Sequence, residues 1–232
     1  MDDNRCLSCP TRRLCLAADL EQAAAARLAE CLRMIAPLHH GDVLYRAGDA
    51  ASSCFVVRSG SFKTCVESAD GHMHVTGFHF PGDLMGVAGQ AEGVHCDTAV
   101  ALETSTACRL ALEEMPTIWQ LGSGAALLRL VGRSEREAAQ HQMNLSRPAA
   151  DARVAGFLVS LGRRMKRGGR SAISLPLPMS RTDLANHLGM TLECLSRVMN
   201  RMSRAGFITA TRSQVVQHRP AELEALAAHV DR

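Results

Sequence analysis

The sequence has no run of about 18 apolar residues, so no helix is expected to cross a membrane. It begins Met1-Asp2-Asp3-Asn4-Arg5, which is not a basic segment feeding an apolar stretch. A secretory leader is therefore not expected, and the cytoplasm is the expected location. The ten histidines contain no H-E-x-x-H spacing, and no Ser/His/Asp or paired-carboxylate arrangement stands out, so the chain is not expected to be an enzyme. A large net charge is missing as well: 26 Lys and Arg against 23 Asp and Glu leave +3. That small figure hides an asymmetry. From Asp151 to Arg232 there are 13 basic and 6 acidic residues, against 13 and 17 in the rest. A basic C-terminal third fits a phosphate backbone as partner, although a solvated basic surface would carry the same charge.

What the chain does have is cysteine, nine in 232 residues. That length can bury a real core and hold two domains. In a reducing compartment clustered cysteines read as ligands or redox centres rather than as disulfides. Three open the chain as Cys6-x2-Cys9-x5-Cys15. Sulfur donors so spaced can face one soft metal centre, and a structural zinc or an iron–sulfur cluster would each need four thiolates. The fourth must come from Cys31, Cys54, Cys65, Cys96, Cys108 or Cys194. A dithiol switch, or no ligand at all, stays open on spacing alone. Arg5, Arg12, Arg13 and Arg109 neighbour these candidates and are expected to offset the charge of bound thiolates.

Residues 1–18 are rich in Cys and Arg, with too little apolar content to order themselves. A helix is expected over Asp19–Ile35, capped by Asp19. Short apolar or alternating runs follow between glycines: Val43–Tyr45, Cys54–Arg58, Phe62–Glu67, His74–Phe80, Thr98–Ala101 and Thr106–Leu110. Regular short strands with turn signals argue for an all-β roll or barrel, closed by Pro116. Ala125–Leu145 reads as one long helix, apolar at Leu127, Leu128, Leu130 and Val131 and polar after that. It could pack across a dimer seam or lie on the roll. Ser146-Arg147-Pro148 marks a hinge. The expected organisation is a cysteine-rich segment 1–18, a β-roll 19–115, a long-helix region 116–147 and a DNA-binding domain 148–232, an α+β chain overall.

The last domain carries a helix-turn-helix signal. An amphipathic helix over Asp151–Arg167 ends at Gly168-Gly169. Ser180 with Asp183 three residues on resembles a capping box. Gly189 turns the chain and Thr191 caps the next helix, Leu192–Ala205. That helix has an inner stripe of Leu192, Leu195, Val198, Met199 and Met202. Its outer stripe is Glu193, Ser196, Arg197, Asn200, Arg201 and Arg204. Arginines beside short polar residues suit a helix lying in a major groove. Phe207–Thr211 and Val215–Gln217 follow as a small wing.

At this point the chain resembles the CRP/FNR superfamily along essentially its whole length, and within it the oxygen-sensing FNR-type regulators. Cys6, Cys9 and Cys15 resemble that group's N-terminal ligand motif. Ala101-Leu102-Glu103-Thr104-Ser105-Thr106-Ala107-Cys108 is similar to the segment ending in its fourth ligand, which favours Cys108 over Cys96. Leu192-Glu193-Cys194-Leu195-Ser196-Arg197 resembles its recognition-helix motif. The resemblance implies a cyclic-nucleotide-binding-like β-roll, a dimerisation helix and a winged helix-turn-helix. It also implies a [4Fe-4S] cluster on Cys6, Cys9, Cys15 and Cys108. Without oxygen, a homodimer would bind double-stranded DNA at TTGAT-like half-sites and work with RNA polymerase. Oxygen would convert the cluster to [2Fe-2S] and release DNA. By carry-over, Arg197 contacts guanine, Glu193 accepts from a base amino group, and Ser196 touches the adjacent pair. Asn200, Arg201, Ser180 and Thr191 complete the expected DNA-binding set.

The chain departs from the superfamily's cyclic-nucleotide branch. Gly82–Gly86 and Val94–Asp97 contain no arginine, so a bound phosphate would lack its charge-assisted partner and no cyclic nucleotide is expected. Two other readings compete. One keeps the DNA function and replaces the cluster with a thiol switch or zinc. The other is a cupin-like metalloenzyme built on His39, His40, His72, His74 and His79.

Overall fold

A computed structural model describes residues 5–228. They fall into two compact units, divided in sequence between Arg136 and Glu137. Helix α1 is Gln22–Cys31, and eight strands follow: β1 Leu32–Met34, β2 Val43–Tyr45, β3 Ser53–Ser59, β4 Phe62–Glu67, β5 Met73–His79, β6 Leu84–Met85, β7 Thr98–Ala101 and β8 Thr106–Ala111. Helix α2 is Met115–Gln120 and α3 is Gly124–Leu145. The second unit continues with α4 Ala150–Arg167, β9 Ser174–Pro176, α5 Arg181–His187, α6 Leu192–Arg204, β10 Ile208–Ala210, β11 Gln214–Gln217 and α7 Pro220–Ala228.

The roll is two four-stranded antiparallel sheets, ordered β1-β8-β3-β6 and β2-β7-β4-β5. The six expected strands form, each within about a residue of its expected ends. The helix expected over Asp19–Ile35 is shorter. It starts after Glu21, and Leu32–Met34 leaves it to pair with β8, setting Met34 opposite Cys108. Asp19 is not its cap; its carboxylate pairs with Arg129 of α3. The strand wins because Leu32 can bury on the sheet beside Leu28 and Leu110 in one apolar cluster. Pro116 does not close the roll but sits in the first turn of α2, where its missing N–H costs nothing.

The cysteine-rich segment does not stay loose. Leu16 and Ala17 are buried, and with Leu20 they join the cluster of Leu28, Leu110, Ile118 and Leu130. Three apolar side chains in a short stretch are enough when a preformed core receives them. Arg12 fastens the same stretch, its Nε donating to the Ala17 carbonyl at 3.2 Å and its Nη2 to Leu20 at 2.8 Å. Arg133 of α3 donates to the Leu14 carbonyl at 2.6 Å.

Gly82 is a tight point of this docking. Its φ is +93°, and a Cβ there would stand 2.5 Å from the Leu14 Cβ. Gly82→Ala is expected to destabilise the first unit by about 1–3 kcal/mol, combining a disfavoured left-handed conformation with overpacking. A thermal melt unchanged within about a degree would contradict this.

In the second unit, Val154, Leu158, Leu161 and Met165 of α4 are buried, and α4 packs on α6, α7 and β9 of the wing. The wing has three strands rather than two, ordered β10-β11-β9, because Leu175 can bury opposite Val215.

Candidate functional site

The first site is built from both ends of the first unit's sequence. After Cys9 a single 3-10 turn, Arg12–Leu14, folds the chain back: Arg12 N donates to the Cys9 carbonyl at 3.0 Å and Cys15 N to the Arg12 carbonyl at 3.1 Å. Cys108 comes from β8, where its register with Met34 and Val56 fixes it. The four thiols Cys6, Cys9, Cys15 and Cys108 line one pocket of about 490 Å³ including its mouth. Arg5, Arg12 and Arg58 also line it, and Ala17, Ala29, Leu32 and Val56 form apolar wall.

Burial pushes the Cys6, Cys15 and Cys108 thiols up to about 11. Neighbouring thiols push the same way, since one thiolate opposes the next. Arg5 and Arg58 pull Cys6 and Cys108 back down. Left to themselves these thiols keep their protons at neutral pH, so ligation must displace them. Four soft donors, apolar walls and the Arg5, Arg12 and Arg58 guanidiniums suit a thiolate-held iron–sulfur cluster. Among the described residues no three of His, Cys, Asp and Glu stand together so as to chelate a single ion.

The other cysteines lie elsewhere. Cys96 is exposed in the loop before β7, and Cys54 and Cys65 are buried in the roll. Cys31 lies beside Glu114, and Cys194 is on α6. Of the expected charge-offsetting arginines, Arg5 and Arg12 line the pocket while Arg13 and Arg109 do not. Arg109 instead donates to Ser53 Oγ at 2.7 Å. Arg58 takes a place the sequence reading missed. It lies far from any cysteine in sequence, and only the pairing of β3 with β8 brings it near Cys108.

The histidines of the metalloenzyme reading are not gathered. His40 bonds the Leu102 carbonyl, His79 bonds Thr64, His74 bonds Ser68, and His72 stands beside Asp70.

The second site is the outer face of α6. Ser180 Oγ accepts from Asp183 N at 2.9 Å, starting α5, and Gly189 turns the chain at φ +60°. Thr191 Oγ1 accepts from Cys194 N at 3.2 Å, starting α6. Both hydroxyls cap their helices as acceptors, and Ser180 Oγ also donates to Asp183 Oδ2 at 2.8 Å. Leu195, Val198, Met199 and Met202 are buried as expected, but Leu192 is 45% exposed because it opens the helix at the turn. Glu193, Ser196, Arg197 and Asn200 are exposed, with no side-chain hydrogen bond or ion pair among the described residues. Arg201 is different: it is paired with Asp151 of α4. Arg181, also missed from sequence, donates to the Thr211 carbonyl at 2.6 Å and ties α5 to the wing turn. The face offers charged and amide groups at one helical spacing beside a wing, the chemistry of base-edge and phosphate contacts.

Known proteins share this build. Residues 36–120 match the cyclic nucleotide-binding domain and residues 152–226 the Crp-like helix-turn-helix domain. The chain is 37% identical over 224 residues to the transcriptional activator protein Anr of Pseudomonas aeruginosa, covering 96% of this chain and 92% of that one. It is 35% identical over 212 residues to FnrA of Stutzerimonas stutzeri, covering 90% and 87%. It is 30% identical over 231 residues to the fumarate and nitrate reduction regulatory protein of Escherichia coli, covering 97% and 90%. The solved structure of FixK2 from Bradyrhizobium japonicum superposes with a TM-score of 0.74 at 25% identity, covering 85% of this chain and 98% of that one. A β-roll, a long helix and a winged helix-turn-helix, with relatives of this similarity over nearly its full length, mean that the chain belongs to the CRP/FNR family of DNA-binding transcriptional regulators.

Proposed function

We propose that this protein is an anaerobic activator of the FNR type, whose Cys6, Cys9, Cys15 and Cys108 hold a [4Fe-4S] cluster. The observation that carries this is the convergence of four thiols, and no other cysteine, on one apolar pocket flanked by Arg5 and Arg58. When bound, the cluster supplies an oxygen-labile centre. The residues do the rest: the thiols ligate, the lining arginines offset charge, and the walls restrict water. Leu16 and Arg133 attach the segment to the core and to α3. The test is an anaerobic visible spectrum repeated in air. A broad band near roughly 400 nm that bleaches, with iron and sulfide present, supports the reading. Colourless protein after attempted reconstitution moves the sensor to thiol or zinc chemistry.

The homodimer is proposed to form along α3. Ala125, Leu128, Gly132, Glu135, Ala139 and Gln142 are exposed at alternating spacings of three and four, and Leu128 is 63% exposed. A mid-helix glycine costs about 1 kcal/mol. The space beside Gly132 is open, so close approach of a second helix would account for it. Leu128→Glu is expected to shift the protein to monomer by at least about tenfold in dissociation constant, since each seam would gain two buried like charges. Sedimentation showing an unchanged dimer would move the seam elsewhere.

A dimer presents two α6 helices to a two-fold symmetric, TTGAT-like site, with RNA polymerase as the further partner. No cyclic nucleotide is proposed as effector. In the roll, Tyr45 and His95 stack at 4.0 Å between ring centroids, and Tyr45 and Phe55 at 5.6 Å. A Cβ on Gly86 would stand 2.9 Å from the His95 ring, so the turn after β6 packs on protein there.

A further inference from the structure

The outer face of α6 is not uniform. Glu193, Ser196, Arg197, Asn200 and Arg204 have no side-chain partner among the described residues, while Arg201 is closed onto Asp151. Its Nε donates to Oδ2 at 3.2 Å and its Nη2 to Oδ1, a bidentate pair. Asp151 lies in the first turn of α4, where the positive end of the helix favours a carboxylate. Two residues on, Arg153 Nη1 donates to the Gly189 carbonyl at 3.2 Å. Gly189 is in the turn that leads into α6, and Arg201 is in its last turns. The start of α4 therefore grips the recognition helix near both ends.

We propose that Asp151–Arg201 and Arg153–Gly189 form a two-point mount that sets the angle of α6, and that Arg201 is a positioning residue that neutralises no DNA phosphate. This rests on the DNA-binding reading of α6. For Arg201 to reach a phosphate it would have to leave a two-bond partner and strand the Asp151 carboxylate beside polyanionic DNA. Retained in the pair, it releases no counterion on binding. Its place in the C-terminal half of α6 agrees, since the N-terminal half of a recognition helix reaches base edges.

The test measures full-length protein on a duplex carrying two half-sites, across a salt series, for wild type, Asp151→Asn, Arg201→Lys and Arg201→Gln. A lysine keeps the charge but cannot form the planar pair. The expected result is weaker binding by about 3- to 10-fold for all three variants, with salt slopes parallel to wild type. Asp151→Asn combined with Arg201→Gln should be no weaker than the worse single change, because both break one contact. A slope reduced by about 0.9 per lost contact in Arg201→Gln but kept in Arg201→Lys would overturn the proposal. Tighter binding by Asp151→Asn would overturn it too, making Asp151 a competitor that withholds the arginine.

A second readout needs no DNA. Amide exchange at Gly189–Leu195 in the free protein should rise several-fold in Asp151→Asn and Arg201→Lys. Unchanged exchange would overturn the mount even where DNA binding falls. If wild type prefers the palindrome no more than a scrambled duplex, the DNA reading fails, and the exchange result still judges the mount.

Discussion

Cys108→Ser is expected to abolish the anaerobic visible band and reduce bound iron to near background, while Cys96→Ser leaves both intact. The difference follows from where β8 and the loop before β7 put the two thiols. Cys108 is held by pairing on both sides, opposite Met34 and Val56, and it lines the pocket with Cys6, Cys9 and Cys15. Cys96 is exposed and is absent from that lining. A serine hydroxyl does not give up its proton as a thiol does, so a site of four becomes a site of three. The fold should survive the change, because the segment is anchored by Leu16, Ala17 and Leu20 and not by the thiols alone. Circular dichroism of Cys108→Ser should match wild type, which separates ligand loss from unfolding. Full iron content in Cys108→Ser would return the fourth ligand to open question. Loss of the band in Cys96→Ser would point to a rearranged loop.

The sequence carried the second unit well and the first unit unevenly. Caps, turn glycine and the α6 stripe are local signals, and Ser180, Gly189 and Thr191 act as their residue types require. Six strands of the roll are legible for the same reason: alternation and bracketing glycines are short-range features. What failed was non-local. Leu32–Met34 carries the periodicity of the helix before it, and only pairing with β8 makes it a strand. Leu84–Met85 and Ser174–Pro176 carry no alternating pattern of their own and exist because a partner strand is present. The docking of the cysteine segment was equally hidden, since its few apolar residues matter only against a core formed by distant residues. At the site, cysteine spacing gave three donors, and the resemblance, rather than any physical pattern, singled out Cys108. Adjacency places Arg5 and Arg12 at the pocket correctly but not Arg13 and Arg109. Arg109 neighbours Cys108 in sequence, but successive strand residues point to opposite faces, and Arg109 turns to Ser53. Arg58 reaches the pocket from another strand. The role of Arg201 was hidden likewise, because periodicity places a residue on a face but does not show what already holds it.

Arg197→Ala should produce the largest loss at the DNA surface. The side chain is exposed in the first half of α6, carries no intramolecular pair among the described residues, and is free to present its fork to guanine O6 and N7. One such contact is worth about 1–3 kcal/mol of discrimination, and a symmetric dimer makes it twice. The expected cost is then about 2–6 kcal/mol, at least roughly 30-fold in affinity for the full site. The pattern of the loss matters as much as its size. Because Arg197 is assigned to a base, its removal should flatten the preference at one base pair of each half-site. Affinity for non-specific DNA should change far less. Arg201 substitutions should weaken binding without changing which sequence is preferred. Glu193→Gln should relax the choice on the opposite strand, where a carboxylate accepts from a cytosine amino group. A binding series on duplexes altered one base pair at a time separates these outcomes. If Arg197→Ala weakens every duplex equally and lowers the salt slope, Arg197 is a phosphate contact, and the sequence choice must rest on Glu193, Ser196 and Asn200.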